Sequence, residues 1–233
     1  MPVNRVDSSA CDVFGNAQKM NEKADGAVRL EVEGLAFARN DCVLFSELSF
    51  SLEPGQVLQI EGPNGSGKTT LLRVLCGLTA FEEGDVRWGG ESIRDAFSDY
   101  VAELAYVGHA AGVKEELTPL ENLEVARAMG RARQGVEPED VLDRLGLPPE
   151  HEDVPCRKLS AGQRRRVALG RLLITEARLW VLDEPFTALD RAGRVLIEGL
   201  LSEHAQAGGM AVLTTHHTMR LGECEVKSLN LDG

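Results

Sequence analysis

Residues 28–37 (VRLEVEGLAF) alternate apolar and polar positions, the period-two pattern of a half-buried strand. Arg39-Asn40-Asp41 reads as a turn, and residues 44–53 (LFSELSFSLE) as a second strand. Glu53-Pro54-Gly55-Gln56 is another turn. A short strand over 57–61 then runs straight into a Gly-rich loop, and helical spacing over 69–76 ends at Gly77. From Thr118 to about Leu147 the pattern is mainly helical. Thr118 supplies an N-cap, Pro119 the first helical position and Glu121 the capping-box position. Ser160 caps a further helix, with Val167, Leu169, Leu172 and Leu173 near helical spacing. Residues 179–182 and 210–214 are short, wholly apolar runs, as buried parallel strands are. The order is strands, Gly-rich loop, helical insert, then βαβ, which predicts an α/β domain carrying a helical arm.

With 233 residues, 43% of them hydrophobic, the chain can bury one large core. Residues 1–27 are polar, small and aperiodic, so they read as a flexible extension, with Met20 as an alternative start; the domain is expected over 28–233, its helical subdomain at about 110–165. The net charge of −12 repels phosphate backbones, so nucleic acid is not an expected partner. Cys11, Cys42, Cys76, Cys156 and Cys224 are scattered and lack C-x-x-C pairing, which favours reduced thiols in a cytosolic compartment over disulfides or zinc. No run approaches the roughly 20 apolar residues of a membrane-spanning helix, and the first residues lack the apolar core of a signal peptide. A role at a membrane would therefore require docking to another subunit.

Gly62-Pro63-Asn64-Gly65-Ser66-Gly67-Lys68-Thr69 fits G-x-x-x-x-G-K-[ST], and Thr70 follows it. Such glycines let the backbone curl until its N–H groups converge on a phosphate, and the next helix adds its positive N-terminus. Lys68 can reach the β and γ phosphates and Thr69 can ligate Mg²⁺, so ATP and Mg²⁺ are the expected cofactors. Leu179-Trp180-Val181-Leu182-Asp183-Glu184 is an apolar strand ending in two acids. Alone it says little, since many strands end in acidic loops. Downstream of a phosphate loop it places Asp183 beside the metal and Glu184 where it can polarise the attacking water.

Leu159-Ser160-Ala161-Gly162-Gln163 resembles the signature of ABC ATPases, usually LSGGQ, with Ala161 in place of one glycine. The resemblance spans about residues 28–233. It implies a P-loop NTPase fold of the ABC nucleotide-binding type, with an antiparallel β subdomain and a helical arm. It implies that Ser160 and Gly162 face a nucleotide held by a partner copy in a homodimer. Ala188-Leu189-Asp190 is similar to the D-loop, which adds Asp190 to the nucleotide set, and Thr215-His216 to the switch region. His216 is accordingly assigned to the γ-phosphate and water beside Glu184 and Lys68 as catalytic groups, with His217 as the alternative. Two departures stand out. His109 occupies the slot of the usual glutamine before the arm, where an imidazole can ligate metal or accept a hydrogen bond from water. For adenine stacking, both Phe37 and Arg39 are candidates. The run Arg164-Arg165-Arg166 points in three directions on a helix and is read as local charge, not as a nucleic-acid patch.

The arm segment GHAAGVKEELTPLENL, the run LSAGQRRRVALGRLL, LDEPFTALD and the absence of an added domain after His216 resemble the ATPase subunit of the cytochrome c maturation system. That resemblance implies an integral-membrane permease partner, a place on the cytoplasmic face of the bacterial inner membrane, and ATP use coupled to haem export or to release of a haem-loaded chaperone. The chain itself has no C-x-x-C-H and no evident means of holding haem. An ATPase of another small-substrate exporter remains open; an ABC protein acting on ribosomes or DNA would be expected to carry two cassettes or long coiled coils.

Overall fold

The computed structural model describes residues 28–39 and 42–231. The expected N-terminal extension, the alternative start at Met20, Cys11 and the Asn40-Asp41 part of the first expected turn lie outside them. Two sheets organise the chain. The smaller is antiparallel, in the order β2-β1-β4-β5, from β1 (Leu30–Arg39), β2 (Cys42–Leu52), β4 (Glu83–Trp88) and β5 (Glu91–Ser92). The larger is parallel, in the order β6-β7-β8-β3-β9, from β3 (Gln56–Glu61), β6 (Leu104–Val107), β7 (Leu179–Asp183), β8 (Met210–Thr214) and β9 (Glu225–Asn230).

Every residue of β7 and β8 is buried, because both faces of the sheet are covered. Alternation sorts their side chains: Trp180, Leu182, Ala211 and Leu213 enter one core, while Leu179, Val181, Met210 and Val212 enter the other. The second core is closed by α1 (Lys68–Leu75), through Leu71, Leu72, Val74 and Leu75, and by the antiparallel sheet. The first is closed by the arm and by the two long helices α5 (Ala161–Ile174) and α6 (Arg191–Gln206). Truncating one of these leucines to Ala would cost about 2–5 kcal/mol.

The arm expected to be mainly helical over 118–147 is two helices, α3 (Pro119–Met129) and α4 (Pro138–Arg144). The break has local causes. Gly130 takes extended angles, and Pro138 holds Glu137 extended at φ −100°, ψ 149°. Both helices pack on α5 at Gly170, where an added Cβ would lie 2.7 Å from Leu123 and 3.2 Å from Leu145. α5 runs without a break through residue 165, from the end of the arm into the main core. The expected capping box of α3 forms, with Thr118 and Glu121 each accepting the other's N–H.

The strands β4, β5 and β9 and the short helix α2 (Phe97–Ala102) were not legible from periodicity. β9 is an edge strand with no buried residue, so it lacks the apolar run that marks β7 and β8. No helix among the described residues is long and apolar enough to cross a membrane.

Candidate active site

The loop between β3 and α1 turns through three left-handed glycines, Gly62, Gly65 and Gly67, at φ 139°, 91° and 96°. No side chain caps the start of α1, so the loop's curl leaves the first N–H groups of the helix facing the cavity. Lys68 Nζ donates to the carbonyls of Gly62 at 2.6 Å and Pro63 at 2.9 Å. The Ser66 hydroxyl is buried without a hydrogen-bond partner among the described residues. Thr69 Oγ1 donates to Asp183 Oδ2 at 3.0 Å, joining the start of α1 to the end of β7.

Asp183 is 2% exposed, and its second oxygen accepts from Thr214 Oγ1 at 2.8 Å. The next residue, Glu184, has φ 50°, a left-handed conformation that bulky side chains avoid. Its N–H is held by Thr214, through the carbonyl at 3.2 Å and Oγ1 at 3.0 Å. The turn aims the carboxylate at His216, whose Nε2 lies 3.5 Å from Glu184 Oε1. His217 points elsewhere: it bonds Glu198 of α6 at 3.1 Å and packs on Phe186 at 5.0 Å.

These groups open onto one cavity of about 650 Å³, lined by Asn64, Gly65, Gly67, Lys68, Thr69, Thr70, Asp183, Glu184 and His216. His109 reaches the same space, as do Arg39, Leu44 and Thr187. Phe37 instead packs toward Phe45, with ring centroids 6.0 Å apart. Gly62 and Pro63 meet the site through the carbonyls that hold Lys68.

Ser160, Gly162 and Asp190 do not line this cavity. Ser160 caps α5 and forms a reciprocal box with Gln163. Ala161 is the first helical residue and is exposed, a position that needs no glycine, which accounts for the departure from LSGGQ. Gly162 is different: a Cβ there would lie 2.8 Å from the Ala188 carbonyl. Asp190 caps α6 through the Gly193 N–H at 2.8 Å and pairs with Arg166. That N–H, with the charge of Arg166, holds its carboxyl below the ordinary aspartate range.

Periodicity gave no sign of Thr214 as the holder of both acids, and the arginine run hid its most buried member. Arg164 donates to the Leu159 carbonyl, and Arg166 to those of Leu145 and Gly146. Arg165 is 4% exposed and donates to the carbonyls of Gly108, Asp183 and Glu184. Burial pulls its basicity below the usual guanidinium range.

The donor set fits a polyphosphate and a hard divalent cation. Lys68 and the unpartnered Ser66 hydroxyl are donors toward an anion, and Thr69 and Asp183 supply oxygen ligands.

The ABC transporter family model matches residues 45–187. The cytochrome c biogenesis ATP-binding export protein CcmA of Methylococcus capsulatus is 52% identical over 201 residues, covering 85% of this chain and 96% of the relative. The protein of the same name from Nitrosococcus oceani is 49% identical over 202 residues, covering 87% and 92%. Among solved structures, a putative ABC transporter ATP-binding protein from Pyrococcus furiosus is similar in fold, with TM-score 0.73 at 23% identity, covering 87% of this chain and 97% of that one. A bacterial ABC transporter cassette solved as a dimer gives TM-score 0.74 at 23% identity, covering 87% and 94%.

Proposed function

This chain belongs to the ABC transporter family, among the cytochrome c biogenesis ATP-binding export proteins, and on that premise we propose that its ATP hydrolysis drives haem export or the release of a haem-loaded chaperone during cytochrome c biogenesis. It is the ATPase subunit of a transporter. The observation that carries the assignment of its site is the meeting of Lys68, Thr69, Asp183, Glu184 and His216 around one cavity.

In this reading Lys68 exchanges its two loop carbonyls for the β and γ phosphates, and the Ser66 hydroxyl and loop N–H groups complete the cradle. Thr69 and Asp183 would hold Mg²⁺, with His109 as a further ligand from the arm; the ion supplies charge neutralisation at the phosphates. Glu184 orients water and accepts its proton, and His216 contacts both that carboxylate and the γ-phosphate. Arg39, which lines the cavity, is the candidate for stacking on adenine.

The assembly in this reading is a head-to-tail homodimer, Ser160 and Gly162 of each chain meeting the nucleotide on the other's Lys68. The domain spans 28–233, and its arm, about 110–165, docks on an integral-membrane permease at the cytoplasmic face. Glu184→Gln, assayed in the assembled complex, should retain ATP binding and slow turnover by roughly 10²–10⁴-fold. Unchanged turnover would remove Glu184 from its role. Mixing Lys68→Ala with Ser160→Arg chains tests the pairing: mixed pairs should regain one working site, and no recovery would argue against shared sites.

A further inference from the structure

Burying a guanidinium is costly unless its donors are met, and Arg165, in the second turn of α5, is almost wholly buried. Its acceptors are backbone carbonyls, not carboxylates. Nη2 donates to Asp183 and Glu184, both at 2.8 Å; Nε donates to Pro185 at 3.3 Å; Nη1 donates to Gly108 at 2.7 Å and His109 at 3.4 Å. Five carbonyls thus match the five N–H groups of the fork. Three belong to consecutive residues at the end of β7, and two to the loop that enters the arm.

We propose that Arg165 is a positioning residue for hydrolysis, fixing the Glu184 carboxylate in register with the arm-entry loop and the start of α5. The inference rests on the assignment of Glu184 as the water-orienting group. Glu184 is held in a left-handed turn, a conformation that costs about 1–3 kcal/mol unless its surroundings enforce it. Thr214 holds the N–H side of this residue and Arg165 the carbonyl side. The peptide units on both sides of the acid are thereby pinned, which fixes the Cα–Cβ direction from which the carboxylate reaches His216 at 3.5 Å. The same guanidinium holds the Gly108 and His109 carbonyls, so a displacement of the arm-entry loop reaches Glu184 through one rigid, planar group. Neighbouring arginines do not duplicate this work, since Arg164 and Arg166 are engaged at Leu159, Leu145, Gly146 and Asp190. Lysine offers three donors around a point and glutamine two, so neither spans the three carbonyls of Asp183, Glu184 and Pro185 and the two of the loop.

The test compares Arg165→Lys and Arg165→Gln with the unaltered protein in the assembled complex, measuring kcat, KM, ATP Kd and thermal unfolding. The expected result is a fall in kcat of about 10- to 100-fold, the usual effect of misplacing a reacting group by a fraction of its contact distance, with ATP Kd changed by less than about threefold. In a Glu184→Gln background the same substitutions should lower residual single-turnover hydrolysis by less than about threefold, because Arg165 acts through Glu184. Equal losses in both backgrounds, or parallel losses of Kd and kcat, would overturn the proposal. So would failure of both variants to give folded, ATP-binding protein, which would make the guanidinium a scaffold group alone. An unaltered complex that binds ATP without hydrolysing it would instead sink the parent reading.

Discussion

Two helix starts, those of α1 and α5, carry the same kind of motif and are built in opposite ways. At α1 no side chain caps the helix, the chain enters through left-handed glycines, and the Ser66 hydroxyl has no partner among the described residues. At α5 the capping box is complete, with Ser160 and Gln163 satisfying each other's N–H. Both ends present the roughly half-charge of a helix dipole. Of the two, α1 has a Ser66 hydroxyl without a partner among the described residues and a Lys68 held only by loop carbonyls, so an anion there can take up donors that the chain does not commit to a cap. At α5 the hydroxyl accepts from Gln163 and keeps its own proton to donate. The first start is built to be completed by a ligand; the second is complete, and can add one contact to a ligand held by another chain.

That contrast is most open to breaking in binding. Lys68→Ala should raise the Kd for ATP by about 100-fold or more, since in the proposed reading it removes a charged donor shared by two phosphates. Ser160→Asp should leave the Kd within about threefold. Aspartate caps as well as serine, yet it lacks the proton and carries a negative charge, so turnover should fall while stability holds. Equal effects on fluorescent-nucleotide binding would erase the difference between the two starts.

Both starts lie at the C-terminal ends of the parallel strands, and the N-terminal ends supply a control. There His204 stacks on Trp180 at 3.8 Å, and its Nε2 lies 3.2 Å from the carbonyls of both Arg178 and Met210. Burial lowers its pKa from 6.5 to about 4. A depressed histidine contributes stability that is full above pH 6.5 and is lost as pH falls toward 4, here by roughly 3 kcal/mol. Urea unfolding at several pH values should show that loss in the unaltered protein and a flatter profile in His204→Gln. Superimposable profiles would acquit His204.

Within α5 the contrast sharpens to neighbouring residues. Gly162→Ala forces a Cβ onto the Ala188 carbonyl and should cost about 1–3 kcal/mol in thermal or urea unfolding. Ala161→Gly, one position earlier, should cost less than about 1 kcal/mol and leave turnover unchanged. A reversed order would mean that the signature's first glycine matters for more than space.

Apolar runs, alternation and caps revealed β1, β2, β3, β7, β8 and the starts of α3 and α5; β7 and β8, buried throughout, gave the plainest signal. Among those they missed, β5 and β9 are edge strands, and β4, which lies between β1 and β5, fully buries just Val86. β9 pairs along its whole length with β3 but has no fully buried residue, Leu229 being only partly covered by the core, so much of its placement comes from backbone hydrogen bonds that leave little mark on residue type. At the candidate site, Lys68, Thr69, Asp183 and Glu184 stood out from the sequence because they sit at fixed spacing in short motifs, and the structure brings them to one cavity with His216. Thr214 and Arg165 did not stand out, because each acts on backbone groups far along the chain. A run of three arginines says charge; only the fold shows that the middle one is aimed inward at carbonyls.

Gly162 against the Ala188 carbonyl has a consequence for two sites at once. The start of α5 and the turn from Glu184 to Asp190 are fitted without slack, and Arg166 adds a tie to Asp190. In a head-to-tail pair, α5 of one chain would meet the nucleotide of the other, while the turn beside it belongs to its own site. Occupancy of either site would then bias the geometry of its twin. Such a mechanical link between identical sites is a source of cooperativity, and couplings of this kind are commonly about 1–3 kcal/mol. ATP saturation of the complex would follow a sigmoid, and loosening the contact at Gly162 would return it toward a hyperbola.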